Sequence, residues 1–173
     1  MRWPFVRREF DAEFTALAGR AKALARVFQH DYIGVEHYFL SLRDLPPDHF
    51  VLKILASTKI DLPKYWQDLE GRAKVVTGRP VPDSLPHTPR AETVLALSAR
   101  FAEFDHCAEI GLLHFLFAVA HEKNSLPATL FAHFHASQFP QLDREQLLAE
   151  QFIGFTRSNP RGFLAFRDAP TAE

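Results

Sequence analysis

One stretch of this chain occurs twice. His30 to Leu42 returns in altered form as Cys107 to Val119, so that Ile33 falls on Ile110, Gly34 on Gly111 and His37 on His114, each 77 positions apart. The apolar set Val35, Tyr38, Phe39, Leu42 falls on Leu112, Phe115, Leu116, Val119. Both sets have the i, i+3, i+4, i+7 spacing of one helix face. The offset also holds upstream, where Phe14, Leu17, Ala18, Ala21, Leu24, Ala25 register with Ala91, Val94, Leu95, Ser98, Phe101, Ala102. Two segments that keep one period and one apolar face point to a tandem duplication of a helical unit of roughly 75 residues.

Start and stop signals divide the chain along the same lines. Asp11 is the expected cap of a first helix running to about Gln29, with Gly19 inside it at a cost of about 1 kcal/mol against Ala. Gly34 opens a second helix, about 35 to 44, which Pro46-Pro47 ends. Asp48 is expected to cap a third, about 48 to 58, and Pro63 stands in the first turn of a fourth, about 62 to 74, anchored by Trp66 and Leu69. Thr77 to Pro86 reads as a linker. Thr88 caps helix five, with Pro89 at its first position, and that helix ends near Phe104. Helix six spans about Leu112 to Glu122, helix seven runs from a Ser125 cap to about Ala136, and Asp143 caps an eighth, about 143 to 153. The expected fold class is therefore all-α: a lead segment 1–9, repeat one about 10–76, linker 77–86, repeat two about 87–153, and a tail 154–173.

Gly34-Val35-Glu36-His37, preceded by an amphipathic helix, resembles the Gly-Thr-Glu-His signature of the N-terminal domain of Clp-family AAA+ unfoldases. Thr88-Pro89-Arg90-Ala91 resembles the opening of that domain's second repeat, and the likeness covers about residues 10 to 152. It implies two pseudo-symmetric four-helix repeats forming one bundle. It also implies a protein-binding module that performs no reaction. In some relatives the Glu of each signature holds phosphoarginine marks on substrates. A carboxylate takes a guanidinium bidentately, and a helix N-terminus takes the phosphate. Repeat one keeps that carboxylate as Glu36, but repeat two has Leu113 in its place. Asp11 stands where the family has Thr at the start of helix one, and only Thr88 with Arg90 keeps an anion-friendly end. The paired site is half present. The alternative role for Glu36 is a helix-start carboxylate favoured by the macrodipole.

Several function classes are disfavoured. No Gly-x-x-x-x-Gly-Lys-Ser/Thr loop occurs, which argues against nucleotide hydrolysis by this chain. No Gly-x-Ser-x-Gly elbow occurs either, and Glu36 and His37 are adjacent on a helix and diverge by about 100°. Among nine histidines there is no His-x-x-x-His pair and there is a single cysteine, Cys107, so no metal or cofactor is expected. His114 and His121 are seven apart and His133 and His135 two apart, and all read as structural or surface residues. Charge is balanced, with 20 basic and 21 acidic residues, and indicates no nucleic-acid partner. The first residues lack a secretory pattern and the longest apolar run is short of the ~20 residues a span needs, so a cytoplasmic chain without a membrane partner is expected.

Candidate protein-binding residues are Glu36, His37, Leu113, His114, Thr88, Arg90 and Phe117. His37 and His114 share one repeat position just inside a helix start, which suggests a structural hydrogen bond. Helix six is apolar nearly all round, and is either buried on every side or presents a strip to a partner helix. Two functions follow. The first is recruitment of substrates or adaptors to an ATP-dependent Clp protease or chaperone, or its regulation. The second is a diverged scaffold or accessory protein that binds a partner helix outside proteolysis.

Overall fold

The computed structural model describes residues 8–74, 78 and 80–138. Among them are seven α-helices and no strand: α1 (Ala12–Val27), α2 (Val35–Leu40), α3 (Phe50–Ser57), α4 (Leu62–Ala73), α5 (Pro89–Phe104), α6 (Leu112–Glu122) and α7 (Leu126–Gln138). The expected eighth helix, the tail and most of the lead segment lie outside the described residues.

Local chemistry explains where the helices begin and end. The Asp11 carboxylate accepts from the Phe14 N–H at 2.6 Å and starts α1. The Thr88 hydroxyl accepts from the Ala91 N–H at 3.1 Å and starts α5. Both helices close in one way. Gln29 (φ 58°) and His106 (φ 55°) turn left-handed, and the following amides, His30 and Cys107, each bond back to an alanine carbonyl, Ala25 and Ala102, at 2.9 Å. Each of these pairs is 77 positions apart, so the sequence offset reappears in backbone hydrogen bonds.

Two expected boundaries are corrected. Helix two does not continue to 44, because α2 stops at Leu40 and Ser41–Asp44 tightens into a 3-10 turn. Pro46 forces Leu45 extended (ψ 155°), and the Ser41 hydroxyl bonds back to the His37 carbonyl at 2.8 Å. Helix six meets no proline and continues to Glu122. Helix three starts at Phe50 and is capped by His49, not Asp48. The turn closed by His49 N–H to Pro46 C=O (2.8 Å) leaves Asp48 exposed, while His49 Nδ1 accepts from Val51 N–H at 3.2 Å and Nε2–H donates to Glu13 at 2.7 Å. Asp48→Ala is therefore expected to change stability by less than about 0.5 kcal/mol and His49→Ala to cost about 1 kcal/mol, read from urea midpoints.

The core lies between the two halves. Phe14 of α1 meets Phe115 of α6 edge-on at 5.6 Å, and Tyr38 of α2 meets the same ring at 5.8 Å. Tyr65 of α4 is fully buried, donates its hydroxyl to the Pro127 carbonyl at 2.9 Å, and lies edge-on to Phe131 and Phe134 of α7. Helix α6 is buried along nearly its whole length, and only Leu113 and residues from Ala120 onward are half-exposed. Its apolar circumference is explained by burial, with no strip left for a partner helix.

Candidate protein-binding site at paired helix starts

Two short backbone exchanges set the site geometry. Ile33 N–H bonds to the Pro86 carbonyl at 2.8 Å and Thr88 N–H to the Ile33 carbonyl at 3.0 Å, which sets the start of α2 beside the start of α5. Asp11 N–H bonds to the Ile110 carbonyl at 3.1 Å and Ile110 N–H to the Glu9 carbonyl at 2.9 Å, which sets α6 beside α1. Phe10 pairs with Ile110 and Ile33 with His87, and across the two pairs Phe10 and His87, like Ile33 and Ile110, are 77 positions apart. Each half thus holds the helix start of the other. The molecule carries two corners of opposed helix N-termini, where free N–H groups concentrate.

Inside each corner a histidine caps its own helix. Gly34 N–H donates to His37 Nδ1 at 2.8 Å, and Gly111 N–H donates to His114 Nδ1 at 2.9 Å. A Cβ at Gly34 would collide with the Glu36 carboxylate, and one at Gly111 would lie 2.8 Å from Asp11 Oδ2. The missing side chain lets a carboxylate approach each helix start. Because His37 Nδ1 is an acceptor, the neutral ring carries its proton on Nε2 and donates it to His30 Nδ1 at 2.9 Å. Burial, and then the neighbouring His30, pushes His37 down to about 4.

His30, Glu36 and His37 bring three donor atoms within 4.8 Å, a grouping hidden by the seven-residue spacing of the histidines. Their hydrogen bonds disfavour a metal. A ligating Nε2 on neutral His37 would need Nδ1 to carry the proton, directly against the Gly34 N–H. Moreover, the same Gly-to-His bond recurs at Gly111 and His114, where no such grouping of three forms among the described residues.

The α2/α5 corner brings together three candidate residues. Glu36 folds over its own helix start with 14% of its side chain exposed. Burial raises its carboxyl above the ordinary range, opposed by its own backbone N–H and by the charges of His30 and Arg90. Thr88 caps α5 and Arg90 follows, beside a shallow cavity of about 490 Å³ lined by Thr88, Pro89, Arg90, Thr93 and Glu122. The Arg90 guanidinium is already engaged, with Nε 3.1 Å from Glu122 Oε1 and Nη1 donating to the Asn124 carbonyl at 2.7 Å. A phosphate arriving here would face Glu122 and compete for a paired cation. Leu113 lies half-exposed at the other corner.

The remaining three candidates are inside the protein. His37 is 0% exposed, His114 6% and Phe117 2%, the last edge-on to Phe101 at 6.2 Å. These side chains are corrected from contact residues to structural ones, because this conformation presents none of them to a partner. Sequence spacing did not reveal Asp105, whose carboxylate Oδ2 is 3.6 Å from His114 Nε2. Its repeat partner is Phe28, so the offset gave no signal of charge there.

A comparison with protein families matches the Clp repeat (R) N-terminal domain over residues 9–134. The chain belongs to this family. Among solved structures, the N-domain of ClpV from Vibrio cholerae aligns at a TM-score of 0.63 and 17% identity, over 95% of this chain and 89% of that one. The N-terminal domain of Hsp104 from Candida albicans aligns at 0.64 and 12% identity, over 83% and 89%. A chain from investigations of a malarial protein secretion system aligns at 0.66 and 12% identity, over 88% and 99%. At such identities the likeness is one of fold. No curated protein matches. This Clp-type N-terminal module has no helix, among the described residues, long and apolar enough to cross a membrane.

Proposed function

We propose that this chain is a non-enzymatic protein-binding module of the cytoplasm. It recruits substrates or adaptors to an ATP-dependent Clp unfoldase or protease, or regulates one, with the α2/α5 corner as its contact surface. The observation that carries this reading is the juxtaposition of the α2 and α5 starts by the Ile33–Thr88 exchange. It brings Glu36 within reach of the Arg90 charge, next to a shallow concavity lined by Thr88, Pro89 and Arg90. Family membership supplies the class of partner by analogy. The second corner, with Asp11 and Leu113 where the family pattern has Thr and Glu, supports one strong corner and one drifted one.

Affinity capture from native lysate, with the captured proteins identified by mass spectrometry, tests both parts. Wild type is expected to retain a AAA+ subunit, its adaptor or its substrates. Glu36→Ala is expected to weaken that capture about fivefold or more, equivalent to about 1 kcal/mol. Leu113→Glu is expected to leave it within about twofold. If the catch is the same for wild type and Glu36→Ala, the corner is not the contact surface. If no Clp-type component is retained, the recruiting role is wrong.

A further inference from the structure

The two histidine caps are built alike but face different neighbours. His37 directs its Nε2–H at another imidazole, His30. His114 directs its Nε2–H toward a carboxylate, with Asp105 Oδ2 at 3.6 Å, beyond a good hydrogen bond. The Asp105 side chain is only 6% exposed, and its Oδ1 has no hydrogen-bond partner. A buried carboxylate oxygen left unmatched is costly and is relieved by a charged donor. The His114 ring, which faces the other oxygen of the same carboxylate, becomes a charged donor to it on gaining a proton. The only lone pair His114 can protonate is Nδ1, the one that caps Gly111. Proton uptake therefore strengthens the Asp105 contact and removes the cap in a single event. The Asp11 carboxylate lies against the same glycine, on the side where a Cβ would stand.

We propose that Asp105 and His114 form a proton-operated latch on the start of α6, while the His30–His37 pair keeps the start of α2 insensitive to the same change in pH. The groups facing each ring support the difference. Around His114 stand Asp105, Asp11 and His106, and Arg8, which donates to the Cys107 carbonyl at 2.7 Å. The two carboxylates favour the imidazolium, against burial and Arg8, while His106 acts on Asp105. Around His37 stand His30, Tyr32, Glu36 (Oε1 3.6 Å from Nδ1), Arg90 acting on Glu36, Asp31 acting on Tyr32, and Lys74 over the neighbouring Phe28 ring. Burial and a second imidazole oppose a further positive charge there. Opening of the latch acts on the strap Glu9–Asp11 and on Leu113, the exposed edge of the second corner.

The test is a pH titration of the full chain by NMR, following the ring nitrogens of both histidines and the amides of Gly34 and Gly111. At neutral pH both rings are expected as the Nε2–H tautomer. On acidification His114 is expected to titrate first, with the Gly111 amide shifting at the same midpoint while Gly34 stays unmoved. Asp105→Asn is expected to lower the His114 midpoint by about one pH unit or more. Equal midpoints for the two histidines, a Gly111 amide that ignores His114, or an unmoved His114 midpoint in Asp105→Asn would each overturn the latch. Should Asp105→Asn fail to fold, the wild-type order of titration decides alone.

Discussion

Tyr65→Ala is expected to destabilise the protein by about 4 kcal/mol, the range found for deleting a fully buried aromatic. The ring is 0% exposed and meets Phe39, Trp66, Phe131 and Phe134 at centroid distances of 6.0, 5.2, 5.9 and 5.7 Å. Two of those rings belong to α4 and the preceding α2, and two to α7. The cavity would open on the seam between the halves, where neither half can collapse into it without releasing the other. Tyr65→Phe isolates the hydroxyl. It leaves the packing but removes the hydroxyl's bond to the buried Pro127 carbonyl, which still accepts within α7, at an expected cost of about 1 kcal/mol. Urea unfolding of the three proteins checks both numbers. A loss below about 1.5 kcal/mol for Tyr65→Ala would mean that α7 is not held to α4 as described.

Tyr65 also shows what the sequence concealed. The periodic pattern pointed to Trp66 and Leu69 as anchors of helix four; Leu69 is fully buried, but Trp66 is half-exposed and Tyr65 is the largest fully buried side chain among the described residues. Periodicity identifies a face, but the neighbour that defines the deepest point of that face is α7, some sixty residues away. The duplicated stripe of α1 and α5, by contrast, was legible because both helices bury four equivalent positions, Phe14, Leu17, Ala21 and Ala25 in one and Ala91, Val94, Ser98 and Ala102 in the other. Capping was legible where it rests on an oxygen side chain, as at Asp11, Thr88 and Ser125. It was missed at His49, where an imidazole does the work, because a histidine is no standard start signal, while at His37 and His114 the shared position pointed to a structural hydrogen bond without showing that it goes to each helix's own opening glycine. The site was half legible for a related reason. Glu36, Thr88 and Arg90 meet because Ile33 and His87 pair across the linker, a contact no local pattern encodes. Phe117 and His37 looked available because helical spacing cannot tell a buried face from a free one.

Acid is expected to weaken the fold steeply between pH 6.5 and pH 4, and the sign follows from His37. Its folded value of about 4 lies below the ordinary 6.5, so over that interval the unfolded chain binds a proton that the folded chain refuses. The contribution is fully present above pH 6.5 and is lost as pH falls through 4. The 2.5-unit gap corresponds to about 3 kcal/mol. His114 and His135 are lowered by burial and add in the same direction. Glu36 and Asp105 act with opposite sign. Burial raises both carboxyls, so their protonation favours the folded state and offsets part of the loss as pH falls. Urea midpoints taken at pH 7, 5.5 and 4.5 measure the net slope. His37→Leu is expected to lower stability at pH 7, by orphaning the Gly34 amide and removing the bond between the two rings, and to flatten the slope below pH 6.5. A variant that kept the full wild-type slope would show that the acid response originates elsewhere in the chain. One that kept wild-type stability at pH 7 would show that the Gly34 cap contributes nothing to the start of α2.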